Sequence, residues 1–460
     1  MKKRMFAILL SAIMIFAVAG CGNSSKDSSS DVISGTVNSS DSTDSIDSTD
    51  STDNNSTSSA EPTSAESADA AIKNNKNIDL NKLKGTTVKV LMWRSLTDQE
   101  KATIESFKNK YGITVKIEEA PLNSSEYMTK LSSLIASGDA PDIGVQSSFP
   151  LGSASAFQPV DVTKQDFSDP VWDTDLMAKY KLKGYNYVFI ANGNWYDNYG
   201  IVVFNEDMFT KDGIKTPYQL WKEGNWNWDT LKSTAAELKK KGHKYGYITH
   251  VADNLMLSAN SGIVTYDGTS FKNSLTDKNT IKAWTFHTQM VEEGLQPTGQ
   301  DYSFNKGETG MMGINSWVML KGQYLRDCTF KWMCVPFPSP KGEQETVPLY
   351  SNLFGVVKGA KNPVGAGVFL RYFLDPANNG NFADRAIDSR FEEVFNYMNQ
   401  KSVKKCVSYV DGVIGFTNAS AQTTMYSELQ SATSAQVSTV LQKYRSVIEN
   451  GVNNVNKRIK

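Results

Sequence analysis

The chain has 460 residues, with 48 Lys and Arg against 49 Asp and Glu and a formal charge of −1. Residues 1–20 contribute +3 and residues 21–77 contribute −7, which leaves +3 on everything after them, too little for the basic face of a nucleic-acid binder. Four cysteines are too few for a disulfide framework, and no Cys-x-x-Cys or His/Cys cluster points to zinc, so neither a metal nor a cofactor is expected.

The first element is an address rather than a fold. Met1-Lys2-Lys3-Arg4 precedes an apolar run from Met5 to Val18, and small residues follow at Val18-Ala19-Gly20-Cys21. That is the pattern of a secretory signal over residues 1–20, too short for a comfortable membrane span. The junction resembles the lipobox of bacterial lipoproteins, which implies that Cys21 becomes the mature N-terminus, carries lipid such as palmitate, and holds the protein on the extracellular face of the cell membrane. The alternative is an ordinary signal peptide with a bystander cysteine. From Gly22 to about Asn77 there is no aromatic residue, and Ser-Thr-Asp triplets recur at Ser42, Ser48 and Ser51. Such a stretch buries too little apolar surface to offset its ordering entropy, so residues 21–77 read as a disordered tether spanning on the order of 40 Å.

The rest is long enough for two lobes. Val88, Val90 and Met92 alternate as one face of a strand, and Thr97-Asp98-Gln99-Glu100 has the form of a capping box opening a helix with Ile104, Phe107 and Tyr111 on one face. Gly112 stops that helix, and Ile113, Val115 and Ile117 form a second strand. Met128, Leu131, Leu134 and Ile135 make the next helical stripe, Gly138 ends it, and Asp142-Ile143-Gly144-Val145 opens a third strand, with Asp139 and Asp142 organising the turn. Strands alternating with helices imply a parallel sheet, whose ligands sit beyond the carboxyl ends of the strands, here Met92–Ser95 and Val145–Ser148. Further on, Asn227 can cap a helix carrying Leu231, Ala235 and Leu238, with Lys239-Lys240-Lys241 suiting its C-terminal dipole. Gly355-Val356-Val357, Lys361-Asn362-Pro363 and the stripe from Val368 to Phe373 read as strand, turn and helix.

Several stretches taken together resemble the extracellular solute-binding proteins of ABC importers, in the class that binds maltodextrins and other carbohydrates. They are Leu134–Ile143, Gly200–Phe209, Trp226–Leu231, Phe304–Met312, Gly313–Trp317 and Val335–Pro338, in the order the family has them. The resemblance implies an α/β, two-lobed periplasmic-binding-protein-like fold, each lobe a central sheet flanked by helices, joined by a multi-strand hinge. It places residues 78–195 and 350–398 in lobe 1 and residues 196–349 and 399–460 in lobe 2, with crossings near 192–198, 348–352 and 396–405. It also implies a monomer that captures a solute by closure and hands it to membrane permease subunits.

A sugar shows C–H faces to aromatic rings and hydroxyls to polar groups. The candidate contacts are Trp93, Arg94, Gln146 and Ser147 in the first lobe, Trp195, Tyr196 and Asp197 at the hinge, Asn315 and Trp317 in the second lobe, and Asn352 on a crossing. Trp317 leads, because its position matches a strand end that presents an aromatic ring in the family. Packing is the rival role for each Trp, foremost for Trp226 and Trp228, and hinge hydrogen bonding is the rival role for Tyr196 and Asp197. Peptides, polyols and polyamines remain alternative solutes. A secreted glycoside hydrolase would also offer Trp-lined clefts, but the chain has no Gly-x-Ser-x-Gly, P-loop or His-Glu-x-x-His motif, and His250 and His287 read as structural. A sensor or adhesin lipoprotein using the same fold is the third class.

Overall fold

The computed structural model describes residues 67–120, 124–146, 156–193, 196–319, 325, 328–380, 389–409 and 419–459. Cys21 with its signal and most of the tether, Ser147 and Trp195 lie outside the described residues, and Gln146 and Asp197 are described by their backbone alone. The described strands are β1 (Thr87–Met92), β2 (Thr114–Glu119), β3 (Ile143–Gln146), β4 (Phe157–Gln158), β5 (Asp197–Asn205), β6 (Tyr245–Thr249), β7 (Val264–Tyr266), β8 (Phe271–Asn273), β9 (Thr309–Asn315), β10 (Trp332–Pro336), β11 (Thr346–Ser351), β12 (Leu353–Val357) and β13 (Lys404–Val407).

β1 pairs in parallel with both β2 and β3, as the alternation of strands and helices predicts. The capping box forms: the Thr97 hydroxyl accepts from Glu100 N, and the Glu100 carboxylate accepts from Thr97 N at 2.7 Å. The helix Asp98–Tyr111 then ends at Gly112, whose φ of 66° a side chain would resist. Its buried face runs through Glu100, Thr103, Phe107 and Tyr111, with Phe107 against Phe369 and Tyr372 of the helix Pro363–Phe373. Burying a ring such as Phe107 stabilises the fold by roughly 2–3 kcal/mol. Asp142 organises its turn from inside, accepting from Lys89 N at 2.8 Å and Asn362 N at 2.6 Å. Tyr127 locks the neighbouring strands near their carboxyl ends, donating to Leu91 O and accepting from Val145 N. The completed sheet has the order β2-β1-β3-β12-β4, and β12 runs antiparallel to both neighbours.

The second sheet has the order β13-β11-β5-β9-β6, and β10 pairs with the far half of β5. Every residue of β9 is buried, the mark of a strand covered on both faces. Asn227 caps the helix Trp228–Lys240, whose Leu231, Ala235 and Leu238 are fully buried. That helix lies so close to β6 that a Cβ at Gly246 would stand 2.0 Å from Ala235 O, hence the glycine. Trp226 and Trp228 are buried, their indole N–H groups donating to the carbonyls of Pro336 and Pro338, so their role is packing at the helix start. Cys328, Cys334 and Cys406 are present as thiols. Among the described residues no helix is long and apolar enough to cross a membrane.

The chain passes between the sheets before β5 and again at Asn352, the single residue between β11 and β12. The helix Ser389–Asn399 corrects the division drawn from sequence, which kept residues up to 398 with the first lobe. Its apolar stripe packs on the second sheet: Phe391 meets Trp332 at 5.2 Å, Arg390 pairs with Glu206, and Asn399 accepts from the Tyr199 hydroxyl. The helix therefore goes with the second sheet. An apolar stripe shows that a helix is covered, but not by which sheet.

Candidate functional site

The carboxyl ends of β6, β9 and β11 and the start of β5 share one edge of the second sheet, because β5 runs antiparallel to β9 and β11. The carboxyl ends of β1 and β3 meet that edge through the crossings. Asp197 faces Ser351 in register, Asn352 N donates to Tyr196 O at 3.3 Å, and Gln146 faces Leu353.

On the first-lobe side the side chains turn inward. Glu100, with no exposed surface, accepts both branches of the Arg94 guanidinium at 2.8 and 2.9 Å, the Tyr196 hydroxyl and the N–H of Thr97. Burial first, and then the charge of Glu100, pushes the Tyr196 phenol well above its ordinary range, so it stays protonated and donating. The Tyr196 ring packs on Phe354 at 4.8 Å and Phe373 at 6.0 Å. Tyr196 therefore takes the hinge role and leaves the set of expected ligand contacts, since a ring 3% exposed with its hydroxyl engaged presents nothing to a solute. Arg94 pairs its fork with Glu100, and its guanidinium lies 5.2 Å from the centre of the Trp93 ring. Trp93 is half-buried, edge-on to Tyr196 and Phe354. Glu100 is the residue that sequence reading missed in this role. Its capping-box position was legible, but not that the same carboxylate would gather a strand end and a crossing.

The second-lobe side is more open. Asn315 is buried at the end of β9, its side-chain oxygen accepting from Asn254 Nδ2 at 3.0 Å. The chain then turns through Ser316–Met319, where Asn198 Oδ1 accepts from Trp317 N at 2.9 Å and Ser316 Oγ accepts from Tyr199 N at 3.0 Å. These bonds fix the backbone under Trp317 while its side chain stays out, the residue being 39% exposed. Asn352 is half-buried on the crossing. The edge thus has an exposed indole on a rigid turn of the second lobe, a half-buried indole just past β1, and the amide side chains of Asn315 and Asn352. That suits a flat-faced, neutral, hydrogen-bonding solute.

Behind the end of β6, His250 Nε2 lies 3.0 Å from Asp301 O, and His287 Nδ1 faces Gln296 Nε2 at 3.1 Å. Burial pushes His287 down to about 4, so it is neutral at physiological pH. Among the described residues no group of three or more His, Cys, Asp and Glu could hold a metal ion.

The chain resembles known proteins in sequence and in fold. A putative binding protein of Brucella abortus is 31% identical over 126 residues, a match covering 24% of this chain and 28% of that protein's length. An ABC substrate-binding protein from Listeria monocytogenes in complex with cycloalternan has a TM-score of 0.58 at 18% identity, covering 81% of this chain and 99% of that one. A cyclic alpha-maltosyl-1,6-maltose binding protein from Arthrobacter globiformis gives 0.64 at 16% identity, with 81% and 99% covered. UgpB from Mycobacterium tuberculosis with glycerophosphocholine gives 0.60 at 14% identity, with 79% and 98% covered. At these identities the likeness is one of fold, and it matches the two-lobed α/β architecture expected from sequence. The model of the family described as bacterial extracellular solute-binding protein matches residues 102–388, more than half of the chain, and the chain belongs to that family.

Proposed function

We propose that this protein captures a mono- or oligosaccharide between its two lobes and delivers it to the permease subunits of an ABC importer. In this reading the solute leaves chemically unchanged, and lipid on Cys21 holds a monomeric protein on the outer face of the membrane. The observation that carries it is Trp317, an indole left exposed on a turn whose backbone is pinned to the crossing residue Asn198. Stacking one face of a sugar there places its hydroxyls toward the amides of Asn315 and Asn352, with Trp93 on the opposite lobe. Gln146, Ser147, Trp195 and Asp197 complete the proposed set, and Arg94 and Tyr196 support it from behind. Support also comes from the two fold neighbours associated with cyclic glucans. A ligand touching both lobes favours the closed arrangement by its differential contacts.

The test is the melting temperature of the purified full chain against mono- and oligosaccharides, amino acids, peptides, polyamines and glycerophosphodiesters, with product analysis of each sample. A ligand at a hundredfold excess over Kd should add about 2.7 kcal/mol of stability. A shift confined to sugars recovered intact supports the reading. A shift with glycerophosphocholine or polyamines instead overturns the solute class, and cleaved sugar overturns capture without chemistry. Membrane fractionation of Cys21→Ala tests the anchor: the variant should leave the membrane for the medium.

A further inference from the structure

A cavity of about 690 Å³ lies on the flank of the second lobe, between the helix Pro217–Lys222, the chain leading into β11 and the helix Ser389–Asn399. It uses none of the hinge-edge residues described above. One wall is an aromatic corner, Trp221 and Tyr397 meeting edge to face at 5.3 Å with 73° between their planes, and Trp226 closes the floor. Beside Tyr397, on the same helix, runs a polar row. Glu392, Asn396 and Gln400 recur every four residues along the helix Ser389–Asn399 and its first residue beyond, all exposed and all lining the cavity.

We propose that this cavity is a second carbohydrate-binding site, taking two or three units of a neutral oligosaccharide with ring faces on Trp221 and Tyr397 and hydroxyls on the Glu392–Asn396–Gln400 row. The volume falls within the range of small-molecule sites, and rings set against a ladder of carboxylate and amide acceptors match the two surfaces of a sugar. Although Glu345, Glu392 and Glu393 all line the cavity, Lys222 pairs with Glu393, the Tyr218 hydroxyl donates to Glu393, and the Tyr397 hydroxyl is hydrogen-bonded to Glu345. Two of the three carboxylates are thus held by donors of the protein itself, which leaves Glu392 to accept from the hydroxyls of a sugar. A groove open to the side accepts the middle of a chain, whereas a closing cleft accepts a whole small ligand. The flank would hold a polymer beside a hinge site that takes its pieces.

The proposal stands apart from the hinge reading, and one experiment separates them. The full chain carrying 5-fluorotryptophan is titrated with maltohexaose and with mannohexaose, and the fluorine signals of Trp221 and Trp317 are assigned by substitution. The expected result is a saturable shift at Trp221 with at least one probe that persists in Trp317→Ala and weakens about tenfold in Glu392→Ala and Asn396→Ala, whose side chains are exposed and leave the core intact. Tyr397→Ala, which keeps the Trp221 reporter, should weaken it further. Silence at Trp221 with both probes, or a shift there that disappears in Trp317→Ala, overturns the second site. A response at Trp317 alone does so while leaving the hinge reading intact.

Discussion

The two lobes meet the hinge edge with similar residues and opposite outcomes. On the first lobe Trp93, Arg94 and Tyr196 are gathered by one enclosed carboxylate, Glu100, so charge and hydroxyl are used up within the protein. On the second lobe Asn198 and Ser316 take up the backbone polar groups and leave the indole of Trp317 outside. Residue type at a strand end therefore says less about ligand contact than which neighbour reaches it first.

The largest effect should come from breaking the knot. Glu100→Gln leaves the Arg94 guanidinium without its charge partner in a mostly buried place, and thermal or denaturant unfolding should show a loss of about 3 kcal/mol or more. If stability is unchanged, the inward-turned picture of the first lobe is wrong. Acid should separate the lobes by a similar amount. His287 titrates at about 4 when folded and near 6.5 when unfolded, so the unfolded chain binds more protons between those values. Stability present above pH 6.5 is then lost as pH falls, by roughly 3 kcal/mol once pH is below 4. Hydrogen exchange should show β6 and β9 losing protection before β1 and β3, and His287→Gln should flatten the profile. Next, Trp317→Ala should weaken binding of the identified sugar by about 2 kcal/mol, near thirtyfold in Kd, with little change in melting temperature. Calorimetric titration reads this directly, and unchanged affinity would remove Trp317 from the site. Smallest, Tyr196→Phe removes one hydrogen bond to a charged acceptor and should cost about 1.5 kcal/mol of stability, leaving sugar affinity within a few-fold. A large loss of affinity would return Tyr196 to the ligand set.

Local structure was legible wherever one residue's chemistry decides it. Thr97 and Glu100 announce a capping box, Gly112 a left-handed stop, and Asn227 a cap, and each does what its type dictates. The alternation in β1 and the following elements was enough for a parallel sheet. What sequence could not give was pairing at long range. The helix Ser389–Asn399 shows an apolar stripe that would suit either sheet, and only the fold assigns it to β10. Glu100 read as a cap, but nothing in its spacing told of Arg94 folding back six residues or of Tyr196 arriving 96 residues later. The flank cavity was invisible for the same reason, since Trp221 and Tyr397 are 176 positions apart and belong to different elements.

The placement of β12 between β3 and β4 has a consequence for time as well as space. Its partners are Ile143–Gln146 on one side and Phe157–Gln158 on the other, while β12 itself is Leu353–Val357. During synthesis the first sheet has a slot in its middle until some two hundred more residues have been added. Contacts of such separation slow folding, because the loop must close before any pairing rewards it. Until Val357 has emerged, the edges of β3 and β4 stay without their shared neighbour, and a nascent chain of this design cannot complete its first lobe early, however stable that lobe is once made.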